Sequence, residues 1–362
     1  MHSRSLSIAI VSFLVSTSAL VAGCSDDPAP ASTQSTSSGS GGSGGAGGHG
    51  GNGGTGGDGG GGGSSSAPEV VAAFDPMKGE YVEGLDIKDG VAYVGAVLTG
   101  QILKVDLATG AISPFGAMPA FSQNGGALVG LTLGPDGAVY GALNITAAGG
   151  PQTGIYRIAP AGGDATLFAS DPAMIFNNDL RFDAADDLFV SDSMSGAIFK
   201  VSKDGGTVSK WVEDMLLTPD PAICGVQTNF HLGINGFVRA GDAYYATNTD
   251  RASIVKIPVN ADGSAGKPEV FLATDCATLS GADGIAVDPS TGDLIVAINY
   301  KETILRIGMD KSVKSIASGE PLQSPASLVL DDKTLYITNA AFAALASDPS
   351  KAKPSLAKLV LP

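Results

Sequence analysis

From residue 67 onward, apolar and polar residues alternate in short runs separated by Gly, Asp and Asn. Such alternation predicts β-strands, because successive side chains face opposite sides of a sheet and the intervening residues suit tight turns. The runs recur as a unit. Each unit opens on one residue pair followed by an apolar strand: Glu83-Gly84, Val129-Gly130, Asn178-Asp179, Asn235-Gly236, Asp283-Gly284 and Ala326-Ser327. The second members of these pairs lie 46, 49, 57, 48 and 43 positions apart. A second strand follows each opening, as in Tyr244-Tyr245-Ala246. A third follows in most units, as in Ile198-Phe199-Lys200-Val201, and then a fourth, as in Glu269-Val270-Phe271-Leu272. Four strands in each repeat of this length predict one blade of a β-propeller.

The two ends of the pattern predict how the ring closes. The sixth unit carries only three strands, the last within Leu356–Leu361, while an unassigned strand, Glu69–Phe74, precedes the first unit. That strand supplies the missing outer edge of the last blade. The expected fold of residues 67–362 is therefore all-β, a six-bladed β-propeller closed by the N-terminal strand joining the last blade.

The first 66 residues follow a different pattern. Arg4 precedes an apolar, Ser-interrupted run from Leu6 to Leu20 that ends in Val21-Ala22-Gly23-Cys24. This is similar to a bacterial lipoprotein leader, which implies a signal peptide over 1–23, lipidation of Cys24 and an exported chain anchored by lipid to the cell envelope. Residues 24–66 are dominated by Gly and Ser and have almost nothing to bury, so they predict a flexible tether with a reach of roughly 35–40 Å.

Charge narrows the partners. The chain holds 36 acidic and 21 basic residues, for a net charge of −15, with no basic cluster. A nucleic-acid partner is not expected, since phosphate binding needs Lys/Arg stripes. Contact with a membrane is expected only through the lipid anchor, and the chain is read as a monomer. Besides Cys24 there are two cysteines, Cys224 and Cys276. They fall on adjacent inter-blade loops of one face, and an oxidising exterior permits a disulfide that would brace the pocket rim.

In a propeller the innermost strands start together at one mouth of the central channel. Four of the six opening residues, Glu83, Asn178, Asn235 and Asp283, carry side-chain oxygens, as a hard cation such as Ca²⁺ requires. Taken singly, Asn-Gly and Asp-Gly are also common turn pairs, like Asp136-Gly137, Asp204-Gly205 and Asp262-Gly263. Asp192 and Asn299, at the ends of second strands, are expected to rim the same pocket. His231, the sole histidine of the repeat region, is expected beside the mouth, where it could move a proton.

The four openings Glu83-Gly84, Asn178-Asp179, Asn235-Gly236 and Asp283-Gly284, in that order, resemble those of the senescence-marker-protein/gluconolactonase/luciferin-regenerating-enzyme family. The resemblance spans the whole repeat region. It implies a divalent metal held by Glu83, Asn235 and Asp283, with Asn178 facing metal or substrate and Asp283 as the base in lactone opening. A small lactone or sugar-like molecule would be the ligand. The chain departs from the family at Phe176, where the family often has arginine, and in lacking the prolines that flank these pairs. Two functions follow: a metal-dependent hydrolase of lactones or related esters, or a non-catalytic surface propeller that presents its channel mouth to a ligand or protein. A quinone-cofactor sugar dehydrogenase would need a catalytic histidine and several arginines near the axis, which the openings do not provide.

Overall fold

In a computed structural model, residues 67–123, 125–224 and 230–361 are described. The leader, Cys24 and the tether lie outside these residues. The strands form six sheets, one per blade, each built on four antiparallel strands. The inner strands are Val82–Lys88, Gly126–Leu133, Asn177–Phe182, Ile234–Ala240, Ala282–Val287 and Pro325–Asp331, numbered here as blades one to six. Each packs against the next, and that of blade six packs against that of blade one. The chain forms a six-bladed β-propeller, as its repeats predict.

Closure occurs where the sequence placed it. The strand Glu69–Ala73 pairs antiparallel with Ser355–Val360 in the last blade, with Glu69 opposite Lys358 and Ala73 opposite Ser355. Blade one gains a short addition that the repeat did not announce: Gly163–Asp164 runs parallel to its outer strand, Ile112–Ala117. The core lies between blades, where inward residues of facing sheets meet, as Phe189 and Ile198 of blade three meet Phe237 and Tyr244 of blade four.

The opening pairs have one structural role in all six blades. In blade one, Val82 faces Ala96 and Leu85 faces Val94, so Glu83 and Gly84 together oppose the single residue Gly95. The same two-against-one register recurs at Val129-Gly130, Asn178-Asp179, Asn235-Gly236, Asp283-Gly284 and Ala326-Ser327. These are β-bulges, which break the ladder locally and re-aim a side chain. Bulged carbonyls need other partners. Ser191 Oγ donates to Asn235 O (2.7 Å), Thr247 Oγ1 to Asp283 O (2.6 Å) and Thr338 Oγ1 to Glu83 O (2.7 Å). Each hydroxyl sits opposite the bulge of its own blade and bonds the bulge of the next, so the third of these bonds also ties blade six to blade one.

The bulge glycines are not turn residues. Gly137, Gly205 and Gly263 have φ of 77°, 75° and 80°, as turns require, whereas Gly84, Gly236 and Gly284 lie outside the left-handed region. They are small because the next blade is close. A Cβ on Gly236 would stand 2.7 Å from Asp283 O and 2.9 Å from Gly284 Cα, and one on Gly284 would overlap Ala326 O.

Candidate functional site

The first residue of each bulge turns toward the axis at one mouth of the channel. Glu83, Val129, Asn178, Asn235 and Asp283 line a common hollow there, while Ala326 is buried outside its wall. Thr249 and Asn299, from the ends of second strands, complete the polar part. Phe176, Leu232, Tyr300 and Phe342, from the connections between strands, form a carbon wall around it. The space between the atoms, open mouth included, is about 460 Å³.

In three consecutive blades the bulge side chain is held by a partner from its own second strand. Asn178 Nδ2 donates to Ser193 Oγ (3.0 Å), Asn235 Nδ2 to Thr249 Oγ1 (3.1 Å), and Asn299 Nδ2 to Asp283 Oδ2 (3.0 Å). Asn235 also bonds the Asp283 carboxyl. Blade one offers Val97 at the matching position, so its second strand has no polar group to hold Glu83.

Both carboxyls are buried, Glu83 being 7% and Asp283 8% exposed. Burial, and then repulsion from Asp283 and Asp179, holds the Glu83 carboxyl well above the usual carboxylate range. Burial, partly offset by the amide of Asn299, raises Asp283 to about 7. No Lys or Arg lines the hollow among the described residues. The nearby Asp179 is itself paired with Arg181 (3.1 Å). Two buried carboxyls without a basic partner call for a proton or a cation between them. The donor set of two carboxylates and amide oxygens on four blades fits a hard, oxygen-seeking cation. Among the described residues no group of three or more His, Cys, Asp or Glu is placed to hold a metal, so such a site depends on Asn235 and Asn178 as well as the acids.

Two expected rim residues lie elsewhere. Asp192 Oδ2 accepts from the backbone N–H of Ile175 (2.6 Å) and Phe176 (2.8 Å), and Oδ1 from Met194 (3.2 Å) and Ser195 (2.8 Å). It is a fully buried loop brace. Relative to its bulge, Asp192 stands one position earlier than Asn299 does, and one residue along a strand reverses the face. Its neighbour Ser193 takes the inward position instead. His231 does not line the hollow either. Its Nδ1 lies 3.4 Å from Asp250 Oδ2, and the following residue, Leu232, enters the wall. Asp250 is raised to about 6 by burial, against the pull of His231.

Cys224 and Cys276 form a disulfide with a Cα–Cα separation of 5.2 Å, between short helices that precede blades four and five. Tyr300, Thr249, Leu232 and Phe342 were not singled out from sequence. Tyr300 directly follows Asn299, and its phenol is held well above its usual range by burial and by Asp250 and Asp283.

Comparison with known proteins agrees with this architecture. Residues 227–341, covering blade four to the second strand of blade six, match the model of the SMP-30/gluconolactonase/LRE-like region. No curated protein matches the chain. Several solved structures share the fold. Regucalcin from Agrobacterium tumefaciens, a calcium-binding protein, has 18% identity and a TM-score of 0.55, over 82% of this chain and 93% of its own. Luciferin-regenerating enzyme has 14% identity and a TM-score of 0.57, over 81% and 95%. PQQ-bound aldose sugar dehydrogenase from Streptomyces coelicolor has 16% identity and a TM-score of 0.59, over 82% and 98%. Identities this low establish the propeller fold that the chain shares with them, and the family match covers about a third of the chain, residues 227–341.

Proposed function

We propose that this protein is a divalent-cation-dependent hydrolase acting on a lactone or related ester at the channel mouth. The observation that carries the reading is the pair of buried carboxyls, Glu83 and Asp283, facing one hollow with Asn235 and Asn178 and with no basic residue in its wall among the described residues. Glu83, Asn235 and Asp283 would hold the cation, taken as Ca²⁺ from the all-oxygen donor set. A bound cation supplies polarisation of a carbonyl and a lowered pKa for water.

The protein's own groups do the remainder. Asp283, a carboxylate beside the reacting carbonyl, would take up and return the proton of the attacking water. Asn299 fixes the orientation of its carboxyl through the 3.0 Å bond. Asn178 presents its amide beside the reacting carbonyl, anchored by Ser193. Phe176, Leu232 and Phe342 limit water at the mouth.

The test is a panel of lactones and aryl esters assayed with Ca²⁺ and with chelator. Turnover that the chelator abolishes, and that Glu83→Gln and Asp283→Asn each reduce at least about 100-fold, supports the reading. Absence of turnover across the panel, or turnover indifferent to both substitutions, refutes it and leaves a ligand-binding propeller.

The leader and tether extend the proposal to location: an exported propeller held to the cell envelope by lipid on Cys24. Labelled palmitate entering the wild-type chain, but not the Cys24→Ser chain, is the expected result, and equal labelling of both would overturn it.

A further inference from the structure

Resting on the hydrolase reading, we infer that the site selects a neutral, hydrocarbon-substituted lactone or ester and discriminates against polyhydroxylated ones. Most of the donors in the hollow are already taken. Asn235 Nδ2 is engaged by Thr249 and Asp283, Asn299 Nδ2 by Asp283 and Ser324 O, and the Thr249 hydroxyl by Ala282 O. One N–H of Asn178 and the Tyr300 hydroxyl remain among the described lining groups. The acceptors are the two carboxylates and the amide oxygens of Asn178 and Asn235, and the cation would draw on these.

The wall gives the second constraint. Around the polar bulge residues, Phe176, Leu232, Tyr300 and Phe342 present carbon to the part of a substrate beyond its reacting carbonyl. Tyr300, 38% exposed, carries that surface outward. Phe176 is locked edge-to-face against Phe230, with ring centroids 5.0 Å apart, so the apolar wall is preformed. Among the described residues no cationic side chain in the wall would greet a phosphate or carboxylate substituent. Each hydroxyl laid unmatched against this surface lowers binding about tenfold, whereas an alkyl chain gains there.

The test compares γ-nonalactone with glucono-δ-lactone as substrates of the full-length chain in Ca²⁺. The expected kcat/KM favours γ-nonalactone by about 100-fold or more. Leu232→Asn is expected to raise the KM for γ-nonalactone about tenfold while changing kcat less. A preference for glucono-δ-lactone overturns this inference and leaves the hydrolase reading standing. If neither is hydrolysed, the hydrolase reading fails, and saturation-transfer NMR decides the ligand class separately. Binding of γ-nonalactone that Leu232→Asn weakens and glucono-δ-lactone does not displace supports the apolar mouth, and no binding overturns it. Sedimentation of the Cys24→Ser chain with phosphatidylcholine vesicles, lost on Leu232→Asn, would instead assign the wall to a lipid surface and overturn the inference.

Discussion

Asp283→Asn should make the cation-free protein more stable at pH 8 and nearly neutral in effect at pH 4. Asp283 is raised from 3.8 to about 7 in the folded state, chiefly by burial. The folded protein therefore keeps this proton over a range in which the unfolded chain has lost it. Stability is full below about pH 4 and falls as pH rises through the folded value near 7. Roughly three pH units at about 1.4 kcal/mol each set the loss at no more than about 4 kcal/mol. The amide introduced by Asp283→Asn would carry no charge and could still accept from Asn299, so the variant avoids that loss. It also removes one source of repulsion on Glu83. Urea unfolding in chelator at pH 4, 6 and 8 measures the effect. The wild-type profile should descend with pH and the variant's should be flatter, the two diverging by about 2–4 kcal/mol at pH 8. Adding Ca²⁺ at about 100 times its Kd should restore about 2.7 kcal/mol to the wild type and much less to the variant. Parallel profiles from pH 4 to 8 would refute the claim that a buried, unpaired carboxyl governs this site.

Other outcomes follow from the ring. Gly284→Ala places a Cβ against Ala326 O, and we expect a loss of about 2–4 kcal/mol in urea unfolding; a neutral result would mean the blades do not approach as closely as described. Thr338→Val removes the hydroxyl that joins blade six to Glu83 O and should cost about 1–3 kcal/mol, visible as a lower melting temperature. The double substitution Cys224→Ser, Cys276→Ser opens a link spanning 52 residues and should cost about 4 kcal/mol by loop entropy. Its effect on Ca²⁺ affinity should be small, because neither cysteine lines the hollow.

The fold was legible because the repeat is written in strand-forming residues at near-constant spacing, and because an unassigned strand at one end matched a missing one at the other. The site was partly legible for the same reason. Glu83, Asn178, Asn235 and Asp283 occupy equivalent positions, and equivalence in a closed ring means convergence. The physical cause of that convergence, a bulge in every inner strand, was not legible, since Asn-Gly and Asp-Gly read equally well as turns. The hydroxyls Ser191, Thr247 and Thr338 look like ordinary strand residues until the bulge carbonyls that they bond are known. Asp192 and Asn299 show the limit of register reading. Both end second strands, but they differ by one position relative to the bulge, and one position decides between bracing a loop and facing the hollow. Tyr300, Leu232 and Phe342 come from connections between strands, Tyr300 in a 3-10 turn and Phe342 at the start of a short helix, whose paths the strand periodicity does not set.

The central claim is that Glu83 and Asp283 together form a cation site, and calorimetric titration of the chelator-treated protein with Ca²⁺ tests it most directly. We predict one ion per chain, with affinity that increases as pH rises through about 7 as Asp283 loses its proton, and that falls at least about 100-fold in Glu83→Gln or Asp283→Asn. Binding of undiminished strength in both variants, or no binding by the wild type at pH 8, would contradict it.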